Sequence, residues 1–176
     1  MQSWVSNPNS PGQGAGTAYA SSTTITDVSP APQFMSQTFG PMYVGQRWQL
    51  VAHGIFSTTG TPNLTLGFYY GGVAGTALAA TAATATGSGA AAWPWRLELQ
   101  MSVRSLGSSG TVWCQGWVDF PTSLTAVTRT AIPTTNAQLV TINTTTNSAL
   151  TCGATWGTSS ASNTLTCEDL IVLQLN

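Results

Sequence analysis

Between Trp95 and Leu106 the chain alternates with a period of two. Trp95, Leu97, Leu99, Met101 and Val103 are apolar, and Arg96, Glu98, Gln100, Ser102 and Arg104 lie between them. Successive side chains of a strand point to opposite faces, so this pattern predicts a half-buried strand of about ten residues. A helix would scatter the same residues around its axis.

The period recurs along the chain. In Gln46–Ser57, Trp48, Leu50, Ala52, Gly54 and Phe56 share one face; Arg47, Gln49, Val51, His53 and Ile55 share the other. Asn63–Tyr70 aligns Leu64, Leu66, Phe68 and Tyr70. Thr111–Asp119 sets Val112, Cys114, Gly116 and Val118 opposite Trp113, Gln115, Trp117 and Asp119. Gln138–Ile142, Ala149–Trp156 and Thr164–Leu175 follow. In Ala149–Trp156 the shared face is Leu150, Cys152, Ala154 and Trp156; in the last run it is Leu165, Cys167, Ile171, Leu173 and Leu175. Tyr19–Val28, rich in Thr and Ser around Ile25, is an earlier candidate.

Turn signals separate these runs. The segments 57–62, 107–110 and 157–163 are Ser/Thr-rich and contain Gly, as strand connections do. Ala74–Ala92 is Ala-rich, but Thr76, Thr81, Thr84 and Thr86 are β-branched and Gly87 and Gly89 disfavour a helix. It reads as a long loop with a short edge strand near Ala77–Ala80. Residues 1–17, mostly Gly, Pro, Ser, Asn and Gln with Trp4, read as an irregular arm. The expected fold is all-β: one antiparallel, jelly-roll-like β-sandwich of about eight strands over residues 18–176. The alternative, an immunoglobulin-like sandwich, normally pairs two Cys across its sheets, and no convincing equivalent is seen here.

A sandwich needs a solvated surface, and here that surface is almost without ions. The chain has no Lys, four Arg, five acids and one His, so charged residues make up 5%. An ordinary soluble domain has about 25%. Ser, Thr, Asn, Gln and Gly must dress the outside, which suits a protein packed among other subunits. A net charge of −1 removes long-range steering toward nucleic acid or anionic lipid. No run of about 18 apolar residues occurs, so no membrane-spanning helix is expected. The first residues lack the basic and apolar regions of a signal peptide. Three Cys, an odd number, then point to buried thiols and a reducing compartment. The Asn63 and Asn143 sequons read as chance in a Thr-rich chain.

No residue pattern spells out a reaction. His53 is the lone His, has no nameable proton-transfer partner and reads as a structural polar residue. Cys152 and Cys167 fall on what read as neighbouring final strands with no His near, so they read as packing residues rather than zinc ligands. Glu98 pairs most simply with Arg96, and Glu168 and Asp169, being adjacent, point to opposite faces. Catalytic, cofactor and metal sites are therefore not expected. The positive signal is seven Trp. Trp93, Trp95, Trp113 and Trp117 are candidates for a glycan-stacking platform; the competing reading is that they fill core and subunit contacts.

Soluble sandwiches usually guard their edge strands with Lys and other charges. This chain has no Lys and almost no charge to spare, so either its edges are short and twisted or a neighbour covers them, and the neighbour is the favoured reading. The expectation is a closed, three-fold homo-oligomer.

Several segments are similar to known sequences: Gly45-Gln-Arg-Trp-Gln-Leu50, the stretches 56–67 and 152–167, Trp93-Pro-Trp-Arg96 and Arg104-Ser-Leu-Gly-Ser-Ser-Gly-Thr111. Together they resemble small structural proteins of tailed phages of actinobacteria, over most of residues 18–176. These are turn-and-strand patterns and carry no chemistry, so no functional residue transfers from them. The resemblance implies a virion component made in the host cytoplasm. It implies a homotrimeric capsid decoration, or minor capsid, protein that clamps the major capsid protein on the capsid exterior. The runner-up is a tail receptor-binding or fibre-tip module recognising cell-surface glycan; a free carbohydrate-binding module is the third class.

Overall fold

The computed structural model describes the backbone of Ser3–Trp4 and residues 16–30, 42–123, 125–146 and 148–176. Most of the expected arm at 1–17 lies outside the described residues. Its Ser3–Trp4 piece is not irregular, because it pairs with the last strand.

In chain order the strands are β1 (Ser3–Trp4), β2 (Tyr19–Ala20), β3 (Thr26–Asp27), β4 (Arg47–Ser57), β5 (Asn63–Tyr70), β6 (Thr76–Ala80) and β7 (Thr84–Ala85). Then come β8 (Trp93–Ser105), β9 (Gly110–Ser123), β10 (Ala126–Ile132), β11 (Leu139–Ile142), β12 (Leu150–Trp156) and β13 (Thr164–Gln174). All pairings are antiparallel. An eight-stranded sheet runs β1-β13-β4-β8-β9-β10, with β2 added to β13 and β11 to β9. A five-stranded sheet runs β3-β12-β5-β6, with β7 added to β5. The protein is a β-sandwich. Among the described residues no helix is long and apolar enough to cross a membrane.

The alternation read from the sequence becomes the layering. Along β8, Trp95, Leu97, Leu99, Met101 and Val103 are buried, while Arg96, Gln100 and Arg104 are exposed. From the large sheet, Trp48, Leu50, Phe56, Leu97 and Leu99 meet Leu64, Leu66, Phe68, Cys152 and Trp156 of the small one in a single core. Burying each such aliphatic side chain contributes about 1.5–3 kcal/mol.

Four expectations change. Tyr19–Val28 is not one strand: Tyr19–Ala20 pairs with β13 of the large sheet, and Thr26–Asp27 pairs with β12 of the small one. The segment turns between sheets at Ser21, whose φ is 64°. The edge strand expected near Ala77–Ala80 is β6, but the rest of 74–92 is not all loop, since β7 also pairs with β5. β10, unnoticed in the sequence, forms the far rim of the large sheet. Finally, β13 changes phase. A bulge at Glu168 lies between Cys167, opposite Gly54, and Asp169, opposite His53. Leu165 and Cys167 point inward before it, and Leu170 and Val172 after it. Ile171 and Leu173 therefore join Val51 and Gln49 on the outer face, because one extra residue inverts a period of two.

Burial also shapes the protein's response to base. Desolvation pushes the Cys114 thiol up to about 12. Burial, and then the charge of Cys152, push the Tyr69 hydroxyl to about 12 from 10.0. Both groups hold their protons in the folded chain at pH values where the unfolded chain releases them. Their stabilising effect is complete below pH 9 and is lost as pH rises toward 12. A thermal melt series is expected to show a midpoint independent of these groups up to pH 9 and falling steadily above it. For Cys114 the limiting slope is about 1.4 kcal/mol per pH unit.

Candidate functional site

The outer face of the large sheet gathers almost all the ions of the chain. Arg47 and His53 on β4 and Arg96 on β8 occupy positions between buried residues, and Arg104 on β8 and Arg129 on β10 are exposed. Register then aligns Asp169, His53, Arg96, Asp119 and Arg129 in one row across five strands. Within it, Arg129 grips Asp119 with two hydrogen bonds, Nε to Oδ1 and Nη2 to Oδ2, both 2.7 Å. This bond, and then the Asp119 charge, raise the Arg129 pKa further above its ordinary value. The same guanidinium lies 5.7 Å from the Trp117 ring centroid, within cation–π range. Arg96 Nη2 bonds Glu98 Oε2 at 2.9 Å, and Gln49 Nε2 donates to Glu98 Oε1 at 2.7 Å.

Beside this row lies an open groove of about 770 Å³. Its apolar walls include Val51, Pro94, Val127, Ile171 and Leu173, with His53 and Asp119 at polar points. Val127 is 65% exposed, a high value for an aliphatic side chain. The bulge in β13 put Ile171 and Leu173 here, and alternation read straight through Glu168-Asp169 misses them. β10 carried a usable signal: Val127, Thr128, Thr130 and Ile132 form a β-branched run.

The sandwich has four rims, and short segments of the chain lie along three of them. β1 and β2 lie along β13. β3 lies along β12, extended by Val28 N–H donating to Cys152 O and by Cys152 N–H donating to Ser29 Oγ. At β6, Thr134 N–H donates to Ala80 O at 3.0 Å and Asn136 Nδ2 to Leu78 O at 3.2 Å. Among the described residues nothing pairs with the outer edge of β10. Of the two alternatives for the edges, short segments lie along three of them.

The four candidate tryptophans separate. Trp95 is 2% exposed and faces the core, its indole N–H shared between Ile55 O at 3.3 Å and Thr166 O at 3.2 Å. Trp93 is half-buried against the core, edge-on to Phe56 with ring centroids 6.3 Å apart. Trp113 and Trp117 lie on the outer face, four residues apart on β9 and so about 13 Å from each other along the strand. Trp113 is 38% exposed, whereas Arg129 covers Trp117. The structure brings no pair of the four together as a flat platform.

The cysteines are all buried, and Cys152 and Cys167 sit on opposite sheets rather than on neighbouring strands. The hydrogen bond to Cys167, and then burial, hold the Cys152 thiol well above its ordinary range. Among the described residues no group of three or more His, Cys, Asp or Glu is placed to hold a metal ion.

No family model matches the chain, and no curated protein or solved structure matches it.

Proposed function

We propose that the protein is a non-enzymatic virion structural component, a homotrimeric decoration that binds and stabilises a major capsid lattice. The observation that carries this reading is the open edge of β10, with exposed Val127 beside the apolar groove of the outer face. An edge strand offers a row of backbone donors and acceptors to another chain. Apolar side chains next to it supply the burial that gives such a contact affinity. Three head-to-tail contacts of this kind close into a ring. The ions beside the groove are paired within the chain, Arg96 with Glu98 and Arg129 with Asp119, so a neighbour need not supply their partners. The sequence resemblance to phage structural proteins supplies the setting. A trimer then engages the lattice through three equivalent sites, so each individual footprint can be small.

Light scattering coupled to size-exclusion chromatography is the first test. It is expected to return three times the 18.2 kDa chain mass. Quantitative mass spectrometry of purified virions is expected to find the chain in capsid-scale copy number. A stable monomer, or a copy number matching the tail tip alone, overturns the proposal.

A further inference from the structure

The four arginines are used in two different ways. Arg96 and Arg129 are neutralised by Glu98 and Asp119. Arg47 and Arg104 are exposed, and among the described residues neither has a carboxylate partner. Yet the fold places them together. Arg47 lies opposite Ser102 on β8, and Arg104 is two residues further along β8 on the same face. Such a diagonal pair has its Cα atoms about 7–8 Å apart. On the other side of β8, Ser102 lies opposite Trp113. The result is a depression of about 190 Å³ lined by Arg47, Arg104, Trp113, Gln100, Gln115 and Ser102. The nearest acid along β8, Glu98, is already held by Arg96 and Gln49.

We propose that this depression is a subsite for one uronic-acid residue of an acidic polysaccharide. Two guanidinium groups without an acid repel each other, and a carboxylate between them relieves that repulsion while accepting charge-assisted hydrogen bonds from both. The half-exposed indole of Trp113 offers a flat apolar surface for the C–H face of a pyranose ring. Gln100, Gln115 and Ser102 supply donors and acceptors for ring hydroxyls. Pockets for drug-sized ligands run from about 300 Å³ upward, so this one is scaled to a single sugar unit. A bare phosphate uses the arginines but leaves Trp113 idle, and an acidic peptide has no ring to stack on it. The subsite lies at the Arg47 end of the outer face, away from Val127, and does not depend on the trimer reading.

The test is calorimetric titration of the full chain with a galacturonate oligomer, a neutral glucan oligomer, polyglutamate and inorganic phosphate, at low and high salt. Galacturonate is expected to bind, to quench tryptophan fluorescence and to weaken with salt; the other three are expected to bind far more weakly or not at all. The double variant Arg47→Gln/Arg104→Gln, and separately Trp113→Ala, are each expected to weaken galacturonate binding by about 10-fold or more. Arg129→Gln removes one positive charge elsewhere on the face and is expected to leave binding intact. All four positions are exposed, and matching melting curves confirm the fold of each variant. The proposal is overturned by no galacturonate binding, by equal binding of glucan, polyglutamate or phosphate, or by variants that bind like the parent.

Discussion

Val127→Lys is expected to convert the assembled protein to 18.2 kDa monomers while leaving the fold intact. Val127 is 65% exposed on the rim strand β10, so the folded monomer loses little by the change. In the assembly the same position is to be covered by a neighbour, and a lysine there must be desolvated without a partner. Lysine on an edge strand is also the usual device by which soluble sheets refuse edge-to-edge pairing. The expected weakening is at least about 100-fold in the dissociation constant, or about 2.8 kcal/mol. Light scattering across a dilution series, beside a thermal melt, checks both halves of the statement. A variant that remains trimeric at every concentration removes β10 from the contact and leaves the trimer reading without its main support.

Gly54→Ala is expected to destabilise the fold strongly. Gly54 sits mid-strand in β4, facing the core, with Trp95 opposite it on one side and Cys167 on the other. A Cβ there would lie 1.9 Å from Thr166 O and 2.9 Å from Thr166 C. Both are backbone atoms of β13, so relief requires β4 and β13 to separate. That movement would also disturb the carbonyls of Ile55 and Thr166, which share the Trp95 indole N–H. Overpacking of this kind costs about 3 kcal/mol or more when the obstacle is backbone. For a domain of this size the midpoint of thermal unfolding is expected to fall by about 10 °C. Urea unfolding with an unchanged m-value would confirm a loss of stability rather than a changed unfolded state. A fall of only one or two degrees would mean that the two strands are not held as close as described.

These two residues mark where sequence reading succeeds and where it stops. Alternation alone puts Gly54 on one face of its strand with Trp48, Leu50, Ala52 and Phe56, and that face is the buried one. Its neighbours across the ladder were not assignable, because Thr166 and Trp95 are far from it in the chain. Val127 was missed with the whole of β10, whose alternation mixes Val, Thr, Arg and Ala too evenly to separate an apolar face from a polar one. The tryptophans teach the same lesson at the candidate site. Trp113 and Trp117 were placed together on the face opposite Val112 and Val118, and both are outward. That Arg129 covers one and leaves the other half-exposed depends on the partner strand.

Alternation is a property of one strand, set by the geometry of the backbone and by which side chains water rejects. For that reason the residue order by itself determined the all-β class, the inward-facing sets of β4, β5, β8, β9 and β12, and the scarcity of surface ions. Pairing between strands is a property of the whole chain. Only the tertiary structure decided that Glu168 is a bulge turning Ile171 and Leu173 outward, that Cys152 and Cys167 meet from opposite sheets, that short segments line three rims while β10 ends the large sheet, and that Arg47 and Arg104 share a depression with Trp113. Each of these rests on residues brought side by side from distant segments, and a period of two carries no information about which strand lies next door.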